Sequence, residues 1–257
     1  MFTRIKNQNR GILDNYPGSK LASGLPQFII NHIPCFDVFI EGCAGTAAIS
    51  RILYDRNKFG KLSSFLHITN PSFRLYDIDP DVCSELNSLL SSVDTVQIFN
   101  QSYLSALDFL HNTVSPFTCF VYLDPPYMKS TRRTPGDIYT YDWTHTDHEQ
   151  FLHNVLKYSC DANIMISGYD NSLYTAALSE WYMRSTQVMT RGGIATETIW
   201  MNYNPDTIKL ATYDFLGTDF TDRQRIKKKI NSLKAKLHSL PFHEKNAILS
   251  SLMALKP

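Results

Sequence analysis

Long apolar runs are missing from this chain: its densest apolar stretch, residues 28–40, is interrupted by Asn31, His32, Pro34 and Asp37. No segment therefore reaches the length that crosses a bilayer, and the N-terminus has no signal-peptide core. A soluble cytoplasmic protein, neither secreted nor bound to a membrane, is the expectation. Cysteine is scarce as well. The five thiols (Cys35, Cys43, Cys83, Cys119, Cys160) are odd in number and contain no C-x-x-C pair, which argues against a disulfide framework and a zinc site. Three further signatures are absent: the Gly-Lys-Ser/Thr of a phosphate loop, the G-x-G-x-x-G of a dinucleotide site and the G-x-S-x-G of a nucleophile elbow. Hydrolases thus have little support.

What remains is ordinary globular material, 43% apolar and 19% charged over 257 residues, enough for one large α/β domain and a small appendage. Charge divides the chain. Residues 1–213 carry 16 Lys and Arg against 20 Asp and Glu, whereas residues 214–257 carry 9 against 4. A basic tail suits a phosphate backbone or a solvated helix face equally well. Within it, Ile226, Ile230, Leu233, Leu237 and Leu240 make one narrow helical stripe that starts from Asp219 as N-cap and stops at Pro241. A second short helix with Phe242, Ile248, Leu249 and Leu252 is expected to fold back on that stripe.

Between residues 36 and 170, short apolar runs alternate with helical patterns. The runs 36–40, 73–76, 96–99, 117–123 and 163–166 are rich in β-branched and aromatic residues, and each ends at an acidic, polar or glycine residue. Such runs read as a parallel sheet buried on both faces, whose ligands sit beyond the carboxyl ends of the strands. Residues 182–190 and 197–203, joined through Arg191-Gly192-Gly193, read as a terminal antiparallel hairpin. His145, His148 and His153 lack zinc-protease spacing, and Thr146 to Glu149 reads as a capping box, so these histidines are taken as structural.

The sharpest motif is Asp124-Pro125-Pro126-Tyr127, delivered by a buried strand to the sheet edge. Each proline fixes its own φ and holds the residue before it extended, so the Asp124 carboxylate and the Pro125 carbonyl become rigid neighbouring acceptors. An exocyclic amine has two N–H donors to offer such a pair. Tyr127 supplies a flat face for a flipped-out base.

Other pieces stand in a telling order. Tyr16-Pro17-Gly18-Ser19-Lys20 comes first, then residues 39–49 with Glu41 and Gly45, then Tyr76-Asp77-Ile78-Asp79. Asn100-Gln101-Ser102-Tyr103 precedes the Asp-Pro-Pro-Tyr motif, and Glu197-Thr198-Ile199-Trp200-Met201-Asn202-Tyr203 follows it. In this order the chain resembles the Dam-type, phage-like N6-adenine-specific DNA methyltransferases.

The resemblance implies a Rossmann-like class I sheet, mostly parallel with a closing antiparallel hairpin, as a catalytic domain over 1–213 with a basic helical extension over 214–257. It implies S-adenosylmethionine as cofactor, held by Tyr16, Lys20, Glu41, Gly45, Asp77, Ser102, Tyr103 and Asp124. Asp77 would meet the ribose hydroxyls, although a strand-end Asp can equally cap a helix. Asp124, Pro125, Pro126 and Tyr127 would carry the chemistry without a metal. The chain departs from the family at Ala47, where a second glycine is usual, at Cys43, where an aromatic is usual, and at Ser102, where an acid is frequent.

Only 45 positions separate Asp79 from Asp124, too few for a target-reading insertion. The loop with Lys129, Arg132 and Arg133, followed by Tyr139, Tyr141 and Trp143, is the next candidate for touching nucleic acid, joined by Arg223, Lys227 and Lys228 of the tail. Double-stranded DNA is the expected partner, with relaxed or short-site specificity, in a bacterial or phage-infected cell and with no obligate protein partner. Two alternatives stay open: an RNA adenine-N6 methyltransferase and an inactive nucleic-acid-binding module.

Overall fold

The structure, a computed structural model, describes residues 13, 16, 20, 24–58, 71–112, 118–132, 136–190, 193–213, 217 and 219–254. The chain forms two compact units, Met1–Tyr213 and Asp214–Pro257.

In the first unit strands and helices alternate. Helix α1 (Leu25–Ile30) leads into β1 (Val38–Gly42), α2 (Ala48–Lys58), β2 (Ser72–Asp77) and α3 (Pro80–Leu90). Then come β3 (Val96–Asn100), α4 (Tyr103–Asn112), β4 (Cys119–Leu123), α5 (His145–Tyr158), β5 (Asn163–Gly168) and α6 (Ser172–Ala177). A hairpin of β6 (Tyr182–Thr190) and β7 (Gly193–Met201) completes the sheet, whose order is β3-β2-β1-β4-β5-β7-β6. Strands β1 to β5 pair in parallel, and β7 runs antiparallel to both β5 and β6.

Side-chain alternation sorts the helices onto two faces. Phe39, Phe73, Phe120 and Met165 meet Ile29 of α1 and Leu53 of α2, while Leu75 meets Leu86 of α3. On the opposite face Ile40, Val121, Ile164 and Trp200 meet Leu107 of α4, Phe151 of α5 and Tyr174 of α6. Both faces of the central strands are apolar because both are covered. This seven-stranded, mostly parallel α/β sheet is the Rossmann-like methyltransferase fold.

The hairpin differs from expectation. Strand β7 begins at Gly193 and ends at Met201, with pairing from Tyr182↔Met201 to Thr190↔Gly193. Gly193 and Ala195 carry little strand signal of their own, and β6 recruits them by pairing. The cap of α5 also moves: Thr144 accepts from Asp147 N–H and Asp147 answers Thr144, so the box lies two residues before Thr146. Trp143, just ahead of the cap, packs on His148 at 5.2 Å between ring centroids, a hydrophobic staple that selects this register.

The second unit holds α7 (Phe220–Ser239), capped by Asp219, and α8 (Phe242–Met253). The expected fold-back of α8 onto the α7 stripe is corrected: Leu233 is 54% exposed and Phe242 70%. Leu240 and Pro241 between the helices are both extended, and the proline fixes its φ, so the link does not reverse in a tight turn. Among the described residues no helix is long and apolar enough to cross a membrane.

Candidate active site

Strand order reverses between β1 and β4, and the carboxyl ends of β2, β1 and β4 stand side by side there, Gly42 opposite both Tyr76 and Leu123. Ligands of open α/β sheets lodge at such a switch point. A cavity of about 330 Å³ occupies it, of the size that takes a small molecule. All eight residues expected to hold the cofactor line this cavity, together with Pro126 of the motif.

The loop after β1 is shaped by what it must approach. At Gly42 a Cβ would come within 2.6 Å of Leu123 Cδ2 and 3.4 Å of Tyr103 Cβ, so the glycine lets α4 close on the strand ends. Gly45 adopts φ +50°, and a Cβ there would lie 2.7 Å from the Tyr16 ring. The space was expected to admit the cofactor, yet Tyr16 takes it. Cys43 and Ala47 also adopt positive φ, at 57° and 48°, a conformation that costs an L-residue about 1 kcal/mol. Ala47 thus has the backbone of the glycine usual at its position.

Asp77 ties this loop to β2. Its Oδ2 accepts from Gly45 N–H at 2.8 Å and its Oδ1 from Asp79 N–H at 2.9 Å. The competing role of helix cap falls to Asp79, which accepts from Asp81 N–H, and Asp77 is left as a carboxylate in the cavity wall. Burial lifts its carboxyl above the usual range, against the pull of those N–H groups. Glu41 is likewise buried and accepts from both the N–H and the hydroxyl of Ser50 near the start of α2. Burial, only partly opposed by Ser50, pushes its carboxyl up to about 8.

Asp124 stands at the centre. Its Oδ1 is 2.6 Å from Lys20 Nζ and accepts from Ser167 Oγ at 2.8 Å, and Ser167 in turn meets the buried Tyr122 hydroxyl at 2.8 Å. Both contacts fall on Oδ1. Among the described residues no donor meets Oδ2 or the Pro125 carbonyl oxygen, so the acceptor pair read from the sequence is open. Burial raises the Asp124 carboxyl to about 6 even though Lys20 and Ser167 pull it down.

Lys20 does not stop at Asp124. Its ammonium is also 3.2 Å from Glu197 Oε1 and donates to the Tyr127 hydroxyl, which itself donates to Glu197. The Tyr127 ring stands edge-on to Tyr169 at 4.5 Å. Glu197, 3% exposed, is a site residue that nothing in its own strand singles out beforehand.

The loop after the motif forms a wall of the cavity through Tyr139, Tyr141 and Trp143. Arg132 is corrected: its guanidinium, 4% exposed, forms a two-pronged pair with Asp142 at 2.5 and 2.6 Å and does not face outward to phosphates. A cation with a buried carboxylate in bidentate reach has no reason to stay in water. Lys129 is on the surface beside Asp137. Arg133 lies outside the described residues, and Lys227 and Lys228 are exposed on α7, with Arg223 half-buried.

The cavity suits S-adenosylmethionine. Asp77, Asp79 and Asp124 give it acidic walls with Lys20 as cation, matched to a ligand bearing a sulfonium, an ammonium and two ribose hydroxyls. Asp77 is a carboxylate in that wall, and Tyr16 packs against the Gly45 turn.

Comparison with one family of known proteins agrees with this reading. The profile of the family described as D12 class N6 adenine-specific DNA methyltransferase matches residues 79–192, the segment containing Asp124 to Tyr127. No curated protein sequence matches the chain. Among solved structures, the catalytic domain of hMettl16 in complex with the MAT2A 3'UTR hairpin 1 shares 12% identity at a TM-score of 0.45, over 68% of this chain and 66% of that one. An rRNA methylase from Streptococcus thermophilus shares 10% at 0.41, over 72% and 93%. A precorrin-6y C5,15-methyltransferase from Geobacter metallireducens shares 12% at 0.42, over 68% and 86%. Residues 79–192 are thus similar to the D12 class N6 adenine-specific DNA methyltransferases, which implies S-adenosylmethionine as methyl donor, and the seven-stranded sheet that carries them brings Asp124 to the cavity.

Proposed function

We propose that the protein methylates the N6 amine of an adenine extruded from double-stranded DNA. One observation carries the reading: Asp124 Oδ2 and the Pro125 carbonyl are adjacent acceptors that meet no donor among the described residues, while Oδ1 is held by Lys20 and Ser167. An adenine amine brings two N–H donors to that pair. Accepting both fixes the nitrogen and draws its lone pair out of conjugation with the ring, which makes it a better nucleophile. When bound, the cofactor supplies an electrophilic methyl group on a cationic sulfur. Position and orientation then account for most of the acceleration.

The remaining residues fix these acceptors. Ser167, anchored by Tyr122, holds the Asp124 plane. Tyr127, tied by its hydroxyl, is a fixed wall against which the base stacks, a contact worth about 1–3 kcal/mol. Tyr16, Lys20, Glu41, Gly45, Asp77, Ser102 and Tyr103 hold the cofactor, directly or by shaping the loop, and the exposed cations Lys129, Lys227 and Lys228 meet phosphates without choosing a sequence.

The test is expression in cells lacking adenine methylation, with 6-methyladenine mapped across the genome, beside transfer of labelled methyl groups to duplex DNA and RNA of one sequence in vitro. Methyladenine at short or loosely defined sites supports the proposal. Transfer confined to RNA overturns the substrate, and failure to bind S-adenosylmethionine overturns the enzyme reading in favour of a binding module.

A further inference from the structure

Glu197 lies in β7 one residue beyond its last pairing with β5, Thr198↔Gly168, level with the motif at the sheet edge. It is 3% exposed, as deep as many apolar core residues, and Lys20 beside it is 5% exposed. Burying a carboxylate is costly unless it is paired, and here one ammonium serves two carboxylates, Asp124 at 2.6 Å and Glu197 at 3.2 Å. Balancing Lys20 requires only one of them. The second leaves the group with a net negative charge and holds the Tyr127 hydroxyl as well.

We propose that Glu197 is a positioning residue for methyl transfer: by sharing Lys20 with Asp124 and accepting from Tyr127, it keeps Asp124 from being neutralised by Lys20 and fixes the last residue of Asp-Pro-Pro-Tyr. The assignment rests on the adenine-methylation reading and adds the residue that tunes its acceptor. Without Glu197, Lys20 pairs fully with Asp124, weakening that carboxylate as an acceptor for the amine, and the Tyr127 ring loses its tether. The titratable groups facing Asp124 are Lys20 from the N-terminal segment, Glu41 on β1, Cys43 just after it, Tyr122 on β4, Tyr127 and Tyr139 from the loop, Tyr174 on α6 and Glu197 on β7. Glu197 works with burial in raising the Asp124 carboxyl to about 6, and Lys20 works against both.

The experiment compares the full chain with Glu197→Gln by carboxyl-carbon NMR titration of Asp124 and by steady-state methyl transfer across pH. The Asp124 midpoint is expected to fall by about one pH unit, the acid limb of kcat to move with it, and kcat at neutral pH to drop roughly tenfold with little change in KM for DNA. A lower kcat with an unmoved Asp124 midpoint would show a merely structural role and overturn the assignment, as would wild-type behaviour on both readouts. Should Glu197→Gln not fold, Glu197→Asp withdraws the carboxylate by one methylene, and there too an unmoved midpoint overturns it. The titration needs no nucleic acid. A shifted midpoint in a protein whose wild type methylates no polymer therefore keeps Glu197 as the tuner of Asp124 and discards the substrate.

Discussion

Arg132 and Asp142 face each other with two hydrogen bonds, at 2.5 and 2.6 Å, and their side chains are 4% and 5% exposed. The pair closes the loop after Asp-Pro-Pro-Tyr on itself, since Asp142 also accepts from the Ile138 and Trp143 N–H groups. Tyr139 is held under the guanidinium at 5.2 Å. Two residues that resemble surface charges in the sequence therefore set a wall of the active site.

Removing one partner of a buried pair strands the other. Arg132→Met is expected to cost about 3 kcal/mol in denaturant unfolding and to weaken S-adenosylmethionine binding in calorimetry. The pair also has a pH signature. Burial alone would raise the Asp142 carboxyl, but Arg132 and the two N–H groups bring it down to about 2. A depressed acid stabilises the fold above its unfolded value near 3.8 and loses that contribution as pH falls toward 2, so the Arg132→Met deficit should shrink over that window.

Asp124→Asn retains size and removes charge. Transfer is expected to fall by roughly 100- to 1000-fold while S-adenosylmethionine still binds, because the amide cannot reproduce the two-acceptor geometry against Lys20 and Ser167. In the wild type, kcat should decline as pH drops below about 6, where Asp124 takes up a proton and Oδ2 no longer accepts freely. A flat profile between pH 5 and 8 in single-turnover assays would contradict this.

Glu41 makes the opposite contribution to stability with pH. Its carboxyl, raised by burial to about 8 from an ordinary value of 4.5, favours the folded chain most below 4.5, and this contribution disappears as pH rises through 8. Glu41→Gln keeps an acceptor for Ser50 without the buried charge. Its Tm should exceed that of the wild type at pH 8, and the gap should close toward pH 4.5 in scanning calorimetry.

Residues 214–257 are proposed to add affinity without sequence choice. Truncation after Tyr213, the end of the first compact unit, should weaken DNA binding and flatten the dependence of log K on log salt by about 0.9 for each phosphate that is no longer neutralised. An unchanged slope in fluorescence titrations at several salt concentrations would remove the tail from the interface.

The sequence disclosed what is local or periodic. Buried strands such as Cys119–Leu123 are apolar throughout because helices cover both faces, and the rigidity of Asp124-Pro125-Pro126 follows from proline chemistry alone. Features decided by distant partners stayed hidden. Nothing near Glu197 announces that Lys20 will meet it, and nothing near Arg132 announces Asp142 as its counter-ion, since a cation in a loop usually remains in water. Thr144 and Thr146 each precede an acid by three residues, and only the packing of Trp143 on His148 decides between them.

Lys20 and Glu197 have a consequence for synthesis. The ribosome delivers the lysine some 177 residues before the glutamate, so a nascent chain can already hold Lys20 and Asp-Pro-Pro-Tyr while still lacking the strand whose Glu197 shares that lysine. The cluster of Lys20, Asp124 and Glu197 is thus assembled late in translation, and a polypeptide released early carries Asp-Pro-Pro-Tyr without it.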